Sequence, residues 1–351
     1  MVELSVSAEL EEFPRVPLAH TPTPLEEAPN LGARWGVNLY IKRDDCTGLA
    51  LGGNKARQLE YYLGQARSHG ADVILITGAV QSNFVRAAAA AARKCGLDIH
   101  IQLEHRVDDS SESYQRSGNV LLNQLLGATL HFFPEGENEA GADASLELIA
   151  SELSRAGRRP YIIHLGLGHS PIGALGYVRA GHELAEQLAS PNGSSLGVPD
   201  AIVVPSGSGL THAGLLVGLR ACGVEIPVVG ICVRRAKVLQ RARILTRVRE
   251  VEGLLGAPPL VAEHEVLLHD DTLHPGYGQL SEVVVDALDH AAKTEGLLLD
   301  PVYSAKTLAG LGVLCERGAI TAGSSVVFLH TGGQPALFGY QAALTPYLDS
   351  P

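Results

Sequence analysis

The chain is 351 residues long, 46% hydrophobic and 19% charged, with a formal net charge of −11. That is room for two domains or one large α/β unit with ample core, in the ordinary composition range of globular proteins. The acidic balance argues against nucleic acid as the main partner, and no apolar run approaches the ~20 residues that span a bilayer.

The opening segment MVELSVSAELEEF is acidic and lacks the basic and apolar regions of a signal peptide, so a cytoplasmic protein is expected. Strands are predicted at Asn38 to Lys42, Val73 to Thr77, Asp98 to Leu103, Tyr161 to His164, Ala201 to Pro205, Pro227 to Val233 and Ser325 to His330. Most are continuous Val- and Ile-rich runs, as parallel strands buried on both faces require. Helical periodicity falls between them, at Arg57 to His69, Ala87 to Cys95, Ala144 to Ala156, Leu175 to Leu188 and Glu282 to Thr294. The alternation predicts α/β architecture with parallel sheets flanked by helices. Ser190-Pro191-Asn192-Gly193-Ser194-Ser195 reads as a flexible surface loop. The five cysteines (Cys46, Cys95, Cys222, Cys232, Cys315) contain no C-x-x-C and read as reduced thiols.

Four stretches can carry chemistry. In Gly52-Gly53-Asn54-Lys55 the glycines let the backbone approach a ligand, and Lys55 can act as an amine nucleophile towards a carbonyl. The plainer alternative is a glycine turn with a solvated lysine. Gln81-Ser82-Asn83 follows the Val73 strand and opens an alanine-rich helix, so its polar atoms sit at a helix N-terminus. These two motifs suggest a site built around a bound aldehyde cofactor. Ser206-Gly207-Ser208-Gly209-Leu210-Thr211 lies between a strand and an apolar helix and suits a small phosphate, or is an ordinary tight turn. It matches neither the nucleoside-triphosphate loop nor G-x-G-x-x-G. Gly276-Tyr277-Gly278 and Asp300-Pro301-Val302-Tyr303-Ser304 present tyrosines from loops, for proton transfer, ring covering or packing. Last, His330-Thr331-Gly332-Gly333-Gln334-Pro335 follows the final strand, where an open parallel sheet binds ligands or merely redirects its chain.

Other features carry less. His264 and His269 miss the H-E-x-x-H zinc spacing by one residue, and no metal is expected. The basic segment Arg234 to Arg249 reads as a solvated helix face, or as a means of concentrating an anionic substrate. The run Ala87 to Ala92 reads as a helix packed close to its neighbours.

With these motifs in this order, joined by TPTPLE (Thr21 to Glu26) and IKRDD (Ile41 to Asp45), the chain resembles the pyridoxal-phosphate enzymes of the tryptophan-synthase-β fold, fold type II. Within them it looks closest to the branch of D-cysteine desulfhydrase, L-cysteate sulfo-lyase and 1-aminocyclopropane-1-carboxylate deaminase. The resemblance runs from about Pro17 to Tyr340. It implies a two-domain fold, a large domain of residues 1–67 and 173–351 and a small inserted one of 68–172, with pyridoxal 5'-phosphate in the cleft between them. It also implies a homodimer acting on a small amino acid.

The resemblance further implies roles. Lys55 would hold the cofactor and move the substrate Cα proton, with Asn54 beside it. Asn83 would bond the ring hydroxyl, and Ser82 would meet the substrate carboxylate or assist proton transfer, next to Gln81 and Phe84. Ser208, Gly209, Leu210 and Thr211 would cradle the phosphate. Tyr277 and Tyr303 would face substrate and ring, with Ser304 beside the pyridine nitrogen. The deaminase carries a glutamate where Ser304 stands, and a neutral partner makes a weaker electron sink, which favours loss of a β-leaving group over cyclopropane opening. Phe84 replaces the histidine usual in the desulfhydrases, and the surrounding motifs look more like the cysteate sulfo-lyases. His169, Arg86 and Ser170 are candidates to meet a sulfonate. The expected activity is α,β-elimination on a cysteine-like amino acid, with sulfite leaving L-cysteate or sulfide leaving D-cysteine. A nicotinamide oxidoreductase, with Arg234 at a 2′-phosphate, leaves Lys55 and the DPVY segment unexplained. A non-catalytic amino-acid-binding protein would not need Lys55 and the phosphate loop intact.

Overall fold

The computed structural model describes residues 2–190 and 197–348, so the loop expected at Ser190 to Ser195 lies almost wholly outside the described residues. Among the described residues ten strands run in chain order as β1 (Leu25–Glu27), β2 (Asn38–Lys42), β3 (Val73–Ala79), β4 (Asp98–Glu104), β5 (Thr129–Phe133), β6 (Pro160–Ile163), β7 (Ala201–Ser206), β8 (Val228–Cys232), β9 (Leu267–His269) and β10 (Ser325–Leu329). They form a six-stranded sheet of order β1-β2-β10-β7-β8-β9 and a four-stranded sheet of order β5-β4-β3-β6. All pairings are parallel except β1 with β2. The α/β expectation holds.

Helices cover both sheets: α1 (Val2–Glu12), α2 (Pro29–Ala33), α3 (Lys55–Ser68), α4 (Asn83–Lys94), α5 (Glu112–Arg116), α6 (Gly118–Leu125) and α7 (Glu139–Arg155). They continue with α8 (Leu175–Ala189), α9 (Leu210–Ala221), α10 (Lys237–Leu254), α11 (Glu282–Glu295), α12 (Ser304–Glu316), α13 (Ala336–Gly339) and α14 (Gln341–Leu348). Strands β3 and β7 are buried along their whole lengths, which is why they read as unbroken apolar runs. Ala87 to Ala92 are all buried where α4 packs against α3, α6 and β3. Small side chains let those elements approach closely. The predicted strands are present to within two residues. β1, β5 and β9 were not predicted, and all three are sheet edges.

The strands of the smaller sheet all lie within residues 73–163, between those that build the larger one. Strand β2 and helix α3 are joined by a buried ionic network from the IKRDD segment. Arg57 donates from Nε and Nη2 to the Asp44 carboxylate at 2.9 Å each, and reaches Glu183 at 2.8 Å. Lys42 donates to the same Glu183. These contacts fix the first turn of α3, two residues beyond Lys55. Among the described residues no helix is long and apolar enough to cross a membrane.

Candidate active site

A cavity opens between the two sheets, and Lys55, Ser82, Asn83, Ser208, Thr211, Tyr277 and Tyr303 all line it. Lys55 is the first residue of α3, and desolvation lowers its ammonium to about 8. Its Nζ lies 4.9 Å from the Phe84 ring centroid and 3.4 Å from Gln58 Oε1. The helix N-terminus acts in the same direction as burial. A lysine so placed keeps a substantial fraction of neutral amine near physiological pH.

The turn that delivers Lys55 is unusual backbone. Ala50, Leu51, Gly52 and Gly53 have φ of 43°, 71°, 67° and 109°, four consecutive residues in the left-handed region. Two are not glycine, so the surroundings must hold them there. Buried Arg86 does so, donating to the carbonyls of Ala50 and Gly52. The Asn54 N–H bonds the Thr331 carbonyl at 3.0 Å, which ties the turn to the segment after β10.

The phosphate loop is shaped from behind. Gln240 and Arg235 donate to the Gly207 carbonyl, at 3.0 and 3.3 Å, and Arg243 donates to the Ser208 carbonyl at 2.9 Å. The loop carbonyls are thus engaged with side chains. Gly209, with φ 99°, begins α9 without a side-chain cap, so the first-turn N–H groups are available to an anion. Thr211 Oγ1 accepts from Asn54 Nδ2 and Gln58 Nε2, both at 2.9 Å. With both lone pairs taken, its hydroxyl proton is left to donate. This donor set fits a phosphate ester, and Lys55 fits an aldehyde on the same molecule.

Ser82 caps α4, its Oγ accepting from the N–H groups of Phe84 and Val85 at 3.2 and 3.4 Å, which likewise leaves its proton for a ligand. Asn83 Oδ1 accepts from Asn119 at 2.8 Å, and its amide nitrogen faces Gly333. Tyr277 and Tyr303 bond hydroxyl to hydroxyl at 2.8 Å with their rings edge to face. Burial drives the Tyr303 phenol well above its ordinary value, so it is a donor and not a phenolate at neutral pH. Lys306 donates to the carbonyls of Leu273 and Gly276, at 3.2 and 2.8 Å, and so positions the Tyr277 loop.

Several expected positions differ. Gln81 does not line the cavity: its amide is spent on the Tyr114 and Ser117 carbonyls and the Asn119 N–H, at 2.6, 3.1 and 2.9 Å. Arg86 faces the back of the Lys55 turn and is closed to any substrate sulfonate. Leu210 is buried and can offer only its backbone. The His169 ring lies outside the cavity lining, stacked on His164 at 3.7 Å between centroids. Ser304 is fully buried and donates to Asp300 Oδ1 at 2.7 Å. The cavity is lined instead by Asp300. Burial pushes that carboxyl up, against four hydrogen bonds from Val302, Tyr303 and Ser304 that favour its charged form. An acid therefore stands where sequence reasoning saw only a neutral serine. The basic segment is not a solvated face either: Arg234 and Arg243 line the cavity, and Arg247 is buried.

That wall includes part of the basic segment whose second expectation was to concentrate an anionic substrate, but its other members were missed. Arg106, held by Glu104 at 2.8 Å through two nitrogens, faces the cavity from the smaller sheet. Opposite, Arg234, Arg235 and Arg243 gather on one carboxylate, Glu139, at the start of α7. Arg234 also meets the exposed Glu137 at 3.1 Å. A cluster drawn from residues 106, 139 and 234–243 has no local spacing to reveal it.

Comparisons with known proteins agree with this geometry. The family model described as pyridoxal-phosphate-dependent enzyme matches residues 16–332. A D-cysteine desulfhydrase of Salmonella choleraesuis (strain SC-B67) is 39% identical over 331 residues, covering 94% of this chain and 97% of the relative. The crystal structure of an ACC deaminase homologue superposes with a TM-score of 0.85 at 37% identity, covering 97% of this chain and 98% of that one. A fungal L-serine ammonia-lyase from Rhizomucor miehei shares the fold, with a TM-score of 0.64 at 21% identity over 95% of this chain and 99% of its own.

Proposed function

This chain belongs to the pyridoxal-phosphate-dependent enzyme family, as a lyase, and we propose that it catalyses α,β-elimination on a cysteine-like amino acid, L-cysteate first. The observation that carries the choice is the arginine wall. Three guanidiniums (Arg234, Arg235, Arg243) converge on Glu139, and two of them, Arg234 and Arg243, line the Lys55 cavity. A sulfonate needs such cations, and a neutral thiol does not. The overall reaction would be L-cysteate plus water giving pyruvate, bisulfite and ammonium.

Bound pyridoxal phosphate supplies the electron sink that makes the substrate Cα proton acidic. Lys55 would hold its aldehyde carbon, with Ser208, Gly209, Leu210 N–H and Thr211 on the phosphate, Asn54 behind Thr211, and Asn83 on the ring hydroxyl. Lys55 Nζ, with its lowered affinity for protons, would take the proton from Cα. Ser82 and the α4 N-terminus would hold the substrate carboxylate. The Tyr277–Tyr303 pair can deliver a proton or cover the ring, and Asp300 with Ser304 sets the polarity on that side.

A second reading, D-cysteine desulfhydrase, is favoured by the 39%-identical relative of that name. A parallel assay with L-cysteate, D-cysteine and aminocyclopropane carboxylate decides. Sulfite release supports the first reading and sulfide release the second, while 2-oxobutyrate alone overturns both. The same reading takes residues 1–67 with 173–351 as the cofactor domain and 68–172 as the inserted one, supported by the origin of the two sheets. It makes the enzyme a homodimer, which light scattering would test. It also keeps it in the cytoplasm, supported by five free cysteines.

A further inference from the structure

We propose that Asp143, His164 and His169 form a binding site for a divalent transition-metal ion, Zn²⁺ being the probe, at the edge of the cofactor cavity. One ligand atom from each lies within 4.8 Å of the others. His164 Nδ1 stands 3.4 Å from Asp143 Oδ1, and His169 Nε2 stands 3.7 Å from Asp143 Oδ2. Both separations are long for firm hydrogen bonds. They are close to what two ligands keep when each binds one ion at about 2.0–2.2 Å in tetrahedral geometry.

The surroundings are built to hold this arrangement. The second nitrogen of His164, Nε2, faces Glu147 Oε1 at 3.3 Å, the carboxylate partner that orients a metal-bound imidazole. Asp143 and Glu147 are one turn apart on α7 and so share a face. The two imidazoles stack within 5° of parallel at 3.7 Å between centroids, so one ring must turn for both in-plane lone pairs to meet the same ion. Loop 165–169 is clamped: Arg247 donates to the carbonyls of Gly166 and His169 at 2.7 and 2.9 Å, and Arg243 to that of Leu165 at 2.8 Å. Gly166 leaves room for the carboxylate, since a Cβ there would meet Asp143 Oδ2 at 2.8 Å. Three protein ligands leave a fourth position open, and Asp143 itself lines the cavity. None of the three belongs to the cofactor cradle, so the inference stands apart from the choice of substrate.

The test is calorimetric titration of the chelator-treated holoenzyme with ZnCl₂. One equivalent is expected for the wild type. Asp143→Asn and His169→Ala should lose it, and Glu147→Gln should weaken it by about 10–100-fold. His131→Ala removes another histidine pair, whose ring nitrogens lie 3.0 Å apart, and should keep the full equivalent. His169 is partly exposed, so its variant should fold, which near-ultraviolet circular dichroism verifies. Absence of a wild-type equivalent, or one that survives in both Asp143→Asn and His169→Ala, overturns the proposal.

Discussion

A Cβ built on Gly332 would stand 2.6 Å from the Cα of Gly53, so the turn after β10 and the turn before Lys55 touch backbone to backbone. Gly332 also has φ 78°, where a side chain is strained. Gly332→Ala should therefore displace the Lys55 turn at a cost of about 1–3 kcal/mol. Cofactor affinity should fall about 5- to 150-fold, as read by the yellow absorbance retained after dialysis. Wild-type retention would show that the contact can be relaxed without moving Lys55.

Thr211 is the junction of the phosphate loop with Asn54 and Gln58. Thr211→Ala leaves two buried amide donors unpaired and removes the hydroxyl that a phosphate would accept from. Pyridoxal-phosphate affinity should drop at least about tenfold, and Thr211→Ser should restore most of it. Equal affinities in all three proteins would place the phosphate elsewhere.

Burial lowers Lys55 to about 8. Only the neutral amine attacks an aldehyde, so the rate of cofactor uptake by the apoprotein should rise through pH 8 and level off above it. A midpoint near 10.4, the ordinary lysine value, would contradict the desolvated setting. Lys55→Ala should abolish both turnover and borohydride fixation while leaving the fold intact.

The Arg57 network predicts acid sensitivity. Burial alone would raise Asp44 and Glu183, but the Arg57 guanidinium, with Lys42, holds both below the usual carboxylate range. Depressed folded values stabilise the protein fully above the unfolded values, ~3.9 and ~4.3, and that stability is lost as pH falls from there through the lower folded values. Asp44→Asn should cost about 3–5 kcal/mol at pH 7 and flatten the acid limb, as measured by urea unfolding. A variant whose stability tracks pH in parallel with the wild type would dissociate Asp44 from acid unfolding.

The central strands were legible because burial on both faces writes an unbroken apolar run, as in Val73 to Ile76. The edges were not: β1 and β9 are three residues each, and β5 is half-exposed, so none carries that signature. The motifs located the cofactor cradle because close backbone approach demands glycines in particular places. They could not tell which polar side chain of a motif faces inward. Gln81 and Arg86 flank residues that line the cavity, yet both are spent on buried carbonyls. Nor could the sequence foresee Asp300 taking the cavity face with Ser304 buried behind it, because that pairing depends on how one loop folds back on itself.

Glu139 and its arginines come from opposite sides of the seam, the carboxylate from the helix between β5 and β6, the guanidiniums from the stretch after β8. One acidic side chain thus stitches the two sheets together at the rim. On the proposed reading, a substrate carrying its own anion would compete for the same guanidiniums, so admitting that group and loosening the stitch would be a single event. The width of the entrance and the charge of the guest would in this way be coupled, and salt should act on both together.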